Sequence, residues 1–97
     1  MNKIYLDRFG TLNCDGKEIV YKNLYHIKES NNEVLGIIFP SFYDMYKFLG
    51  HFNGVIKVVA IDGVVKFIIE HLLLPINKEL KTIECRIAGI ERIYNEI

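Results

Sequence analysis

The chain has 97 residues, with twelve Lys and Arg against twelve Asp and Glu, so its formal net charge is zero. The charges also balance within residues 1–40, 41–76 and 77–97. Without a basic block a nucleic-acid partner is disfavoured, because such proteins carry an excess of Lys and Arg for phosphate contacts. The length predicts one compact domain over residues 1–97.

The first forty residues predict an antiparallel β-meander. Residues 3–6 alternate in polarity, and residues 11–14 and 17–22 flank Asp15-Gly16, a dipeptide typical of tight hairpin turns. This hairpin would place Leu12 opposite Ile19. Residues 24–28 and 33–39 then flank a polar turn at 29–32.

A short helix is predicted over residues 42–49. Ser41 follows Pro40 and can cap the first turn, where Asp44 favours the helix dipole, and Gly50 provides the exit. One apolar stripe falls at helical spacing and consists of Phe42, Met45, Tyr46 and Leu49.

The aromatic side chains of this helix are not confined to that stripe. Half of the aromatic residues of the chain lie between positions 39 and 52, which indicates either ordinary core or an anchor patch for a partner. The candidate interaction residues in this region are Tyr43, Tyr46, Phe48 and His51.

Residues 55–74 predict a β-hairpin rather than a membrane span. Fourteen of these twenty residues are apolar, but three charges and Asp62-Gly63 interrupt them, whereas a membrane helix tolerates almost no charge. A two-residue turn at Asp62-Gly63 would place Ile61 opposite Val64. The alternative is a helix that Asp62 caps and that runs to residue 74.

The predicted hairpin has one uniformly apolar face and one mixed face. On the mixed face Lys57, Lys66 and Glu70 interrupt a row of valines and isoleucines, with Lys57 diagonal to Glu70. This row is difficult to cover with one or two helices, which indicates a partner surface. Val59 and Ile68 are its candidate interaction residues.

The last segment, residues 77–97, predicts an amphipathic helix that covers the sheet or pairs with its copy in a homodimer. The apolar side of this helix would consist of Leu80, Ile83, Ile87, Ile90, Tyr94 and Ile97. Strict alternation over residues 82–87 and the interruption at Gly89 leave a strand as the alternative.

The residues that usually carry chemistry do not form a recognisable motif. The three histidines lack metal-binding spacing, and Cys14 and Cys85 belong to no Cys-x-x-Cys pair. Cys14, at a predicted hairpin tip, is the best nucleophile candidate and a weak one, since only Lys17 is near it. We therefore predict no catalytic residue, no metal site and no cofactor. The amino terminus lacks a secretory pattern, so a cytoplasmic location is expected.

The order of elements in the second half resembles that of the small viral ring nucleases that act as anti-CRISPR proteins. The resemblance covers about half of the chain and consists of a helix that ends at Leu49-Gly50, a strand pair around Asp62-Gly63, then Leu74-Pro75 and an amphipathic close. The catalytic Gly-His of that family is unmatched, because Ile38-Phe39-Pro40 occupies its place. The resemblance implies a virus- or mobile-element-encoded protein without that activity.

The sequence thus predicts an α+β fold in which antiparallel β-meander and hairpin strands pack against one aromatic-rich helix and a C-terminal amphipathic helix. The expected function is a small, non-enzymatic protein-binding or inhibitory module whose partner is another protein or a second copy, with no membrane association. The alternative is a small-ligand or nucleotide-binding protein, or a minor enzyme, with a pocket near Tyr43, Tyr46 and His51.

Overall fold

Two three-stranded meanders, joined by a helix, form one β-barrel. The structure is a computed structural model that describes residues 3–60 and 62–94. The first meander contains β1 (Lys3–Cys14), β2 (Lys17–Glu29) and β3 (Asn32–Ile38), and helix α1 (Phe42–His51) follows it. The second meander contains β4 (Val55–Ala60), β5 (Gly63–Leu72) and β6 (Thr82–Tyr94).

The strand order around the barrel is β1-β2-β3-β6-β5-β4, and every neighbouring pair is antiparallel. The two meanders meet at two places. Five residue pairs join β3 to β6, whereas two pairs, Leu12↔Val58 and Asn13↔Lys57, join β1 to β4 among the described residues. The barrel is therefore closed weakly at the junction of β1 and β4, which we call the seam.

The core fills the barrel interior and includes the inner face of α1. Met45 and Phe48 are fully buried, and the Phe48 ring lies 5.5 Å from Phe39 and 5.2 Å from Phe52, centroid to centroid. The fully buried aliphatic residues come from both meanders and are Leu12, Ile19, Leu24, Leu35, Ile37, Ile56 and Ile83. Interdigitation of both meanders in one core explains why the barrel forms as a unit.

The predicted meander and helix start are confirmed. Leu12 pairs with Ile19 across the Asp15-Gly16 turn. Ser41 caps α1, since its Oγ accepts a hydrogen bond from the backbone N–H of Asp44 at 3.2 Å. The helix continues to His51, two residues beyond the predicted end.

The predicted apolar stripe of α1 is wrong in two of its four positions. Met45 is buried and Leu49 packs against the core, but Phe42 and Tyr46 are exposed. The inward face instead adds Phe48 and Phe52, which continue the same helical spacing. The aromatic residues on several sides of the helix made the two stripes hard to distinguish from sequence.

The β-hairpin at 55–74 is confirmed, and the alternative helix over 62–74 is wrong. The register predicted for the hairpin, however, differs from the observed one. Val59 pairs with Val64 and Ala60 with Gly63, a shift of two positions that leaves the two faces as predicted. Gly63 is a strand residue with φ +154°, where a Cβ would lie 1.9 Å from the carbonyl oxygen of Ile93. Ile61 lies outside the described residues.

The charges on the mixed face are also arranged differently from the prediction. Lys57 lies directly opposite Lys66, rather than diagonal to Glu70. The next strand places Glu91 beside Lys66, with 3.7 Å between Nζ and Oε2. This contact relieves part of the repulsion between the two lysines.

The predicted C-terminal amphipathic helix is wrong, because Thr82–Tyr94 forms strand β6. Ile83, Cys85 and Ile87 alternate into the core, while β6 pairs with β3 on one side and β5 on the other. Two residues of the apolar side of that predicted helix do not lie in β6. Leu80 is exposed in the segment before β6, and Ile97 lies outside the described residues. No helix within residues 3–60 and 62–94 has the length and apolarity needed to cross a membrane.

Candidate functional site

A cleft opens beyond the seam, where β4 ends at Ala60 and the other part of β1, toward Lys3, continues past it. Over Lys3 to Thr11, β1 pairs with β2 alone among the described residues. The cleft has a volume of about 480 Å³, and we call it the seam cleft. Its lining residues are Leu6, Asp7, Leu24, Val58, Val59, Ala60, Val65, Phe67 and Arg92.

The floor of the seam cleft is apolar and its rim is exposed. Leu24 and Phe67 belong to the buried core, with Val65 packed against it. Val59 stands on the rim with 77% of its surface exposed. Binding pockets in proteins commonly combine this volume range with apolar walls and a few polar groups.

Strand β1 has two backbone irregularities, one of which lies in the lining of the cleft. The register against β2 shifts between Tyr5 and Asp7, so Leu6 is an extra residue, and both Leu6 and Asp7 line the cleft. Such bulges re-aim side chains and are frequent beside functional sites. Phe9 adopts φ +52°, which is unfavourable for a bulky residue, and its side chain is 70% exposed.

The carboxylate of Asp7 is held in a fixed orientation. The hydroxyl of Tyr21 donates to Oδ2 at 2.5 Å, and the backbone N–H of Arg8 donates to Oδ1 at 2.8 Å. Gly10 makes room for this contact, because a Cβ there would lie 2.4 Å from the Tyr21 hydroxyl oxygen.

Burial and the neighbouring carboxylate both keep the proton on Tyr21. Its pKa is raised well above the usual value, first by burial and then by the hydrogen bond to Asp7 and the charge of Asp7. Tyr21 therefore acts as a donor that orients the Asp7 carboxylate toward the cleft.

Arg92 supplies the opposite charge on the other side of the cleft. Arg92 of β6 pairs with Val65 of β5, and Val65 pairs with Val58 of β4, so the three side chains form one row across three strands. Within residues 3–60 and 62–94, no ion pair involves Asp7 or Arg92. The cleft therefore presents one anionic and one cationic group beside an apolar floor.

The sequence-predicted residues on α1 lie away from this cleft. Tyr43, Tyr46 and His51 are exposed on the helix, and the Lys47 Nζ lies 5.5 Å from the centre of the Tyr43 ring. None of them lines the seam cleft. Phe48 is fully buried in the core, so its side chain offers no surface to a partner.

The two predicted residues on the hairpin have different surroundings. Val59 lies in a row with Val64 and Ile93 across the outer face of the second meander, and it also forms the cleft rim. Ile68 lies on the same face but is partly buried beside Val55. Val59 is thus the one predicted interaction residue that lines the seam cleft.

Sequence reasoning missed Leu6, Asp7 and Arg92. The sequence does contain a signal of an irregular strand. The alternating stretch ends at the charged pair Asp7-Arg8, and Gly10 follows shortly after. No sequence signal connects that region to Arg92, because the two meet only through closure of the barrel.

A second groove, of about 420 Å³, lies outside the barrel between the first meander and the segment before β6. Several of its polar groups are already engaged with one another. Tyr25 donates to Glu84 Oε2 at 2.6 Å, and the Lys3 Nζ lies 4.4 Å from the Tyr25 ring centre. These contacts stabilise the outer face of the sheet, so the seam cleft is the better candidate for a binding site.

The structure gives no support to thiol catalysis. Cys14, predicted at an exposed hairpin tip, is fully buried, as is Cys85. Burial, as the largest cause, raises the pKa of each thiol from 9.0 to about 12. In the described part of the chain, no three His, Cys, Asp or Glu side chains group in a way that could hold a metal ion.

Comparisons with protein-family models, with curated proteins and with solved structures found no significant match. The resemblance to viral ring nucleases therefore gains no support from them. It also loses one of its features, because the expected amphipathic close is a barrel strand.

Proposed function

We propose that this chain is a non-enzymatic protein-binding module whose seam cleft receives an extended segment of a partner protein. The proposal is supported by the edge of β1 over residues 3–11, which pairs with no second strand within residues 3–60 and 62–94 and lies beside an apolar cleft. An added strand would pair with this edge through main-chain hydrogen bonds, and alternate side chains would enter the cleft.

The form of the edge favours a specific partner over indiscriminate association. Long, flat, apolar edges promote aggregation, whereas bulges and charged residues protect against it. The β1 edge carries the bulge at Leu6 and the charged side chains of Asp7 and Arg8. A segment that complements these irregularities can bind, while another flat strand fits poorly.

The test uses a random library of displayed peptides of about eight residues, close to the length of a typical strand. Selected peptides are measured against the wild type, Val59→Asp and the matched control Val20→Asp. Val20 is also an exposed strand valine, 42% exposed, but it lies on β2 outside the cleft. Both variants are expected to keep their fold, because neither residue is buried.

We expect Val59→Asp to weaken the selected peptides about tenfold, which corresponds to about 1.4 kcal/mol. Val20→Asp should change their affinity less than about twofold. Bound peptide should also slow hydrogen exchange at β1 amides, which otherwise face solvent along the edge. Failure to select any peptide, or equal binding by both variants, would contradict the proposal.

A second candidate surface for a protein partner is the outer side of α1. Phe42 and Tyr46 stack there with ring centroids 6.3 Å apart, and Tyr43 is exposed beside them. Exposed aromatic residues often anchor protein interfaces. Loss of binding in a Tyr43→Ala, Tyr46→Ala variant, with Val59→Asp unaffected, would assign binding to the helix instead.

A further inference from the structure

We infer that the extended segment bound in the seam cleft carries a basic side chain that pairs with Asp7 and an acidic side chain that pairs with Arg92. This inference rests on the proposed function and specifies the chemistry of the partner. The supporting observation is that two opposite charges border one apolar cleft without pairing with each other in the described residues.

Asp7 has the features of a prepared anionic subsite. Its two oxygens are each fixed by a donor, from Tyr21 and from the Arg8 backbone. A carboxylate oxygen has more than one lone pair, so both can still accept a hydrogen bond from a Lys or Arg. Because the acceptor is already oriented, an incoming cation orders only itself.

Arg92 has the features of a cationic subsite at the end of the barrel interior. Its row neighbours Val58 and Val65 are apolar residues of the cleft, so Arg92 borders an apolar wall while its side chain is exposed. The guanidinium carries donors in a planar fork that matches a carboxylate in two-point contact. An acidic side chain of the segment would be recognised there.

The combination would give selectivity between partner segments. Binding covers the cleft and removes water from both charges, which makes their pairing stronger and makes an unpaired charge more costly. A purely apolar segment would leave the charges of Asp7 and Arg92 desolvated without an opposite charge from the segment. Segments with one basic and one acidic residue at the matching spacing are therefore favoured over apolar ones.

The experiment compares the sequences selected by four full-length proteins from the same peptide library: wild type, Asp7→Asn, Arg92→Glu and the control Lys78→Glu. Asn retains an oxygen that can accept from Tyr21, so the variant removes the charge with little change to the local contacts. Lys78 is exposed in the segment before β6 and does not line the cleft. Thermal unfolding of each protein verifies the fold.

Wild type and Lys78→Glu should select peptides that contain both a basic and an acidic residue at a constant spacing. Peptides selected by Asp7→Asn should no longer favour the basic residue but should still favour the acidic one. Peptides selected by Arg92→Glu should carry a basic residue in place of the acidic one. In a selected peptide, replacing the basic residue by norleucine should weaken binding to the wild type about tenfold or more and leave binding to Asp7→Asn nearly unchanged.

Two results separate this inference from the proposed function. If Val59→Asp weakens the selected peptides but they show no charge preference, or a preference that the variants do not alter, the inference is wrong and the proposed function stands. If no selected peptide depends on Val59, both fail. Displacement of the peptides by free leucine would also overturn the inference, because the two charges would then recognise a small zwitterion.

Discussion

Replacing Gly36 by alanine should destabilise the protein, because this glycine leaves space for the ring of Tyr25 on the outer face of the first meander. The Tyr25 ring lies flat over Gly36, and a Cβ there would be 2.0 Å from Cζ and 2.3 Å from each Cε of the ring. Separations under 3.0 Å require something to move. The ring therefore has to leave its position on the sheet.

The magnitude follows from what Tyr25 would lose. Its side chain is only 4% exposed and donates at 2.6 Å to Glu84. Exposure of about 100 Å² of ring costs about 2.5 kcal/mol, and a hydrogen bond to a charged group contributes about 1.5 kcal/mol. Removal of glycine flexibility offsets roughly 0.5 to 1 kcal/mol. The expected net loss is about 3 kcal/mol, which for a chain of this length lowers Tm by roughly 12 to 24 °C.

The assay is urea unfolding of Gly36→Ala, Tyr25→Ala and the double variant. Once Tyr25 is truncated, the added methyl group meets no ring, so the double variant should be no less stable than Tyr25→Ala. Gly50→Ala is the control, since a Cβ there meets nothing within 4 Å, and it should stabilise α1 by up to about 1 kcal/mol. Wild-type stability in Gly36→Ala, or additive losses in the double variant, would show that the Tyr25 ring does not depend on the space above Gly36.

Three further predictions concern titration, the Asp7 contact and α1. Stability should fall as pH rises above 9.0, because the thiols of Cys14 and Cys85 have an unfolded pKa of 9.0 and a folded pKa of about 12. The free energy of unfolding should fall by at most about 1.4 kcal/mol per pH unit for each thiol. Chemical denaturation across this pH range measures the slope, and a Cys14→Ala variant should reduce it. Tyr21→Phe should cost about 1.5 kcal/mol in urea unfolding, since it removes a hydrogen bond to a charged group; no change would mean that the contact does not contribute. Tyr43→Ala should alter Tm by only a few degrees because the side chain is exposed, and a large drop in thermal unfolding would show that it packs.

Local turn chemistry explains the parts of the fold that the sequence predicted well. Asp15-Gly16 adopts positive φ at both residues, +52° and +77°, as a tight hairpin turn of this type requires. The register of β1 against β2 near Leu12 followed directly. Ser41 likewise predicted the helix start, because capping depends on residues within one turn.

The hairpin faces were predictable, but its register was not. Alternation of Val55, Lys57 and Val59 identifies a face regardless of where the turn lies, since a shift of two positions preserves it. The turn position depends on Gly63, where β6 approaches so closely that a side chain is excluded. That approach is a contact with residue 93, far along the chain, and no local pattern reports it.

The C-terminal segment failed for a related reason. Residues 82–87 fit both the helical spacing of the predicted C-terminal helix and the alternation of a strand, and periodicity alone could not decide between them. The strand forms because β6 pairs with both β3 and β5. Without β6 those two strands would each have an unpaired edge, so barrel closure, a long-range property, overrides local preference.

The candidate site lies where this closure is least complete. Among the described residues the ladder between β1 and β4 has two residue pairs, and β1 continues past the end of β4 with a bulge at Leu6 and a positive φ at Phe9. Positive φ at a bulky residue carries a cost of order 1 to 3 kcal/mol that regular pairing would avoid. A strand that kept both irregularities only for stability would be a poor solution. The proposed binding of an extended segment would give these irregularities a role, because the bulge places Leu6 and the oriented carboxylate of Asp7 in the lining of the apolar cleft.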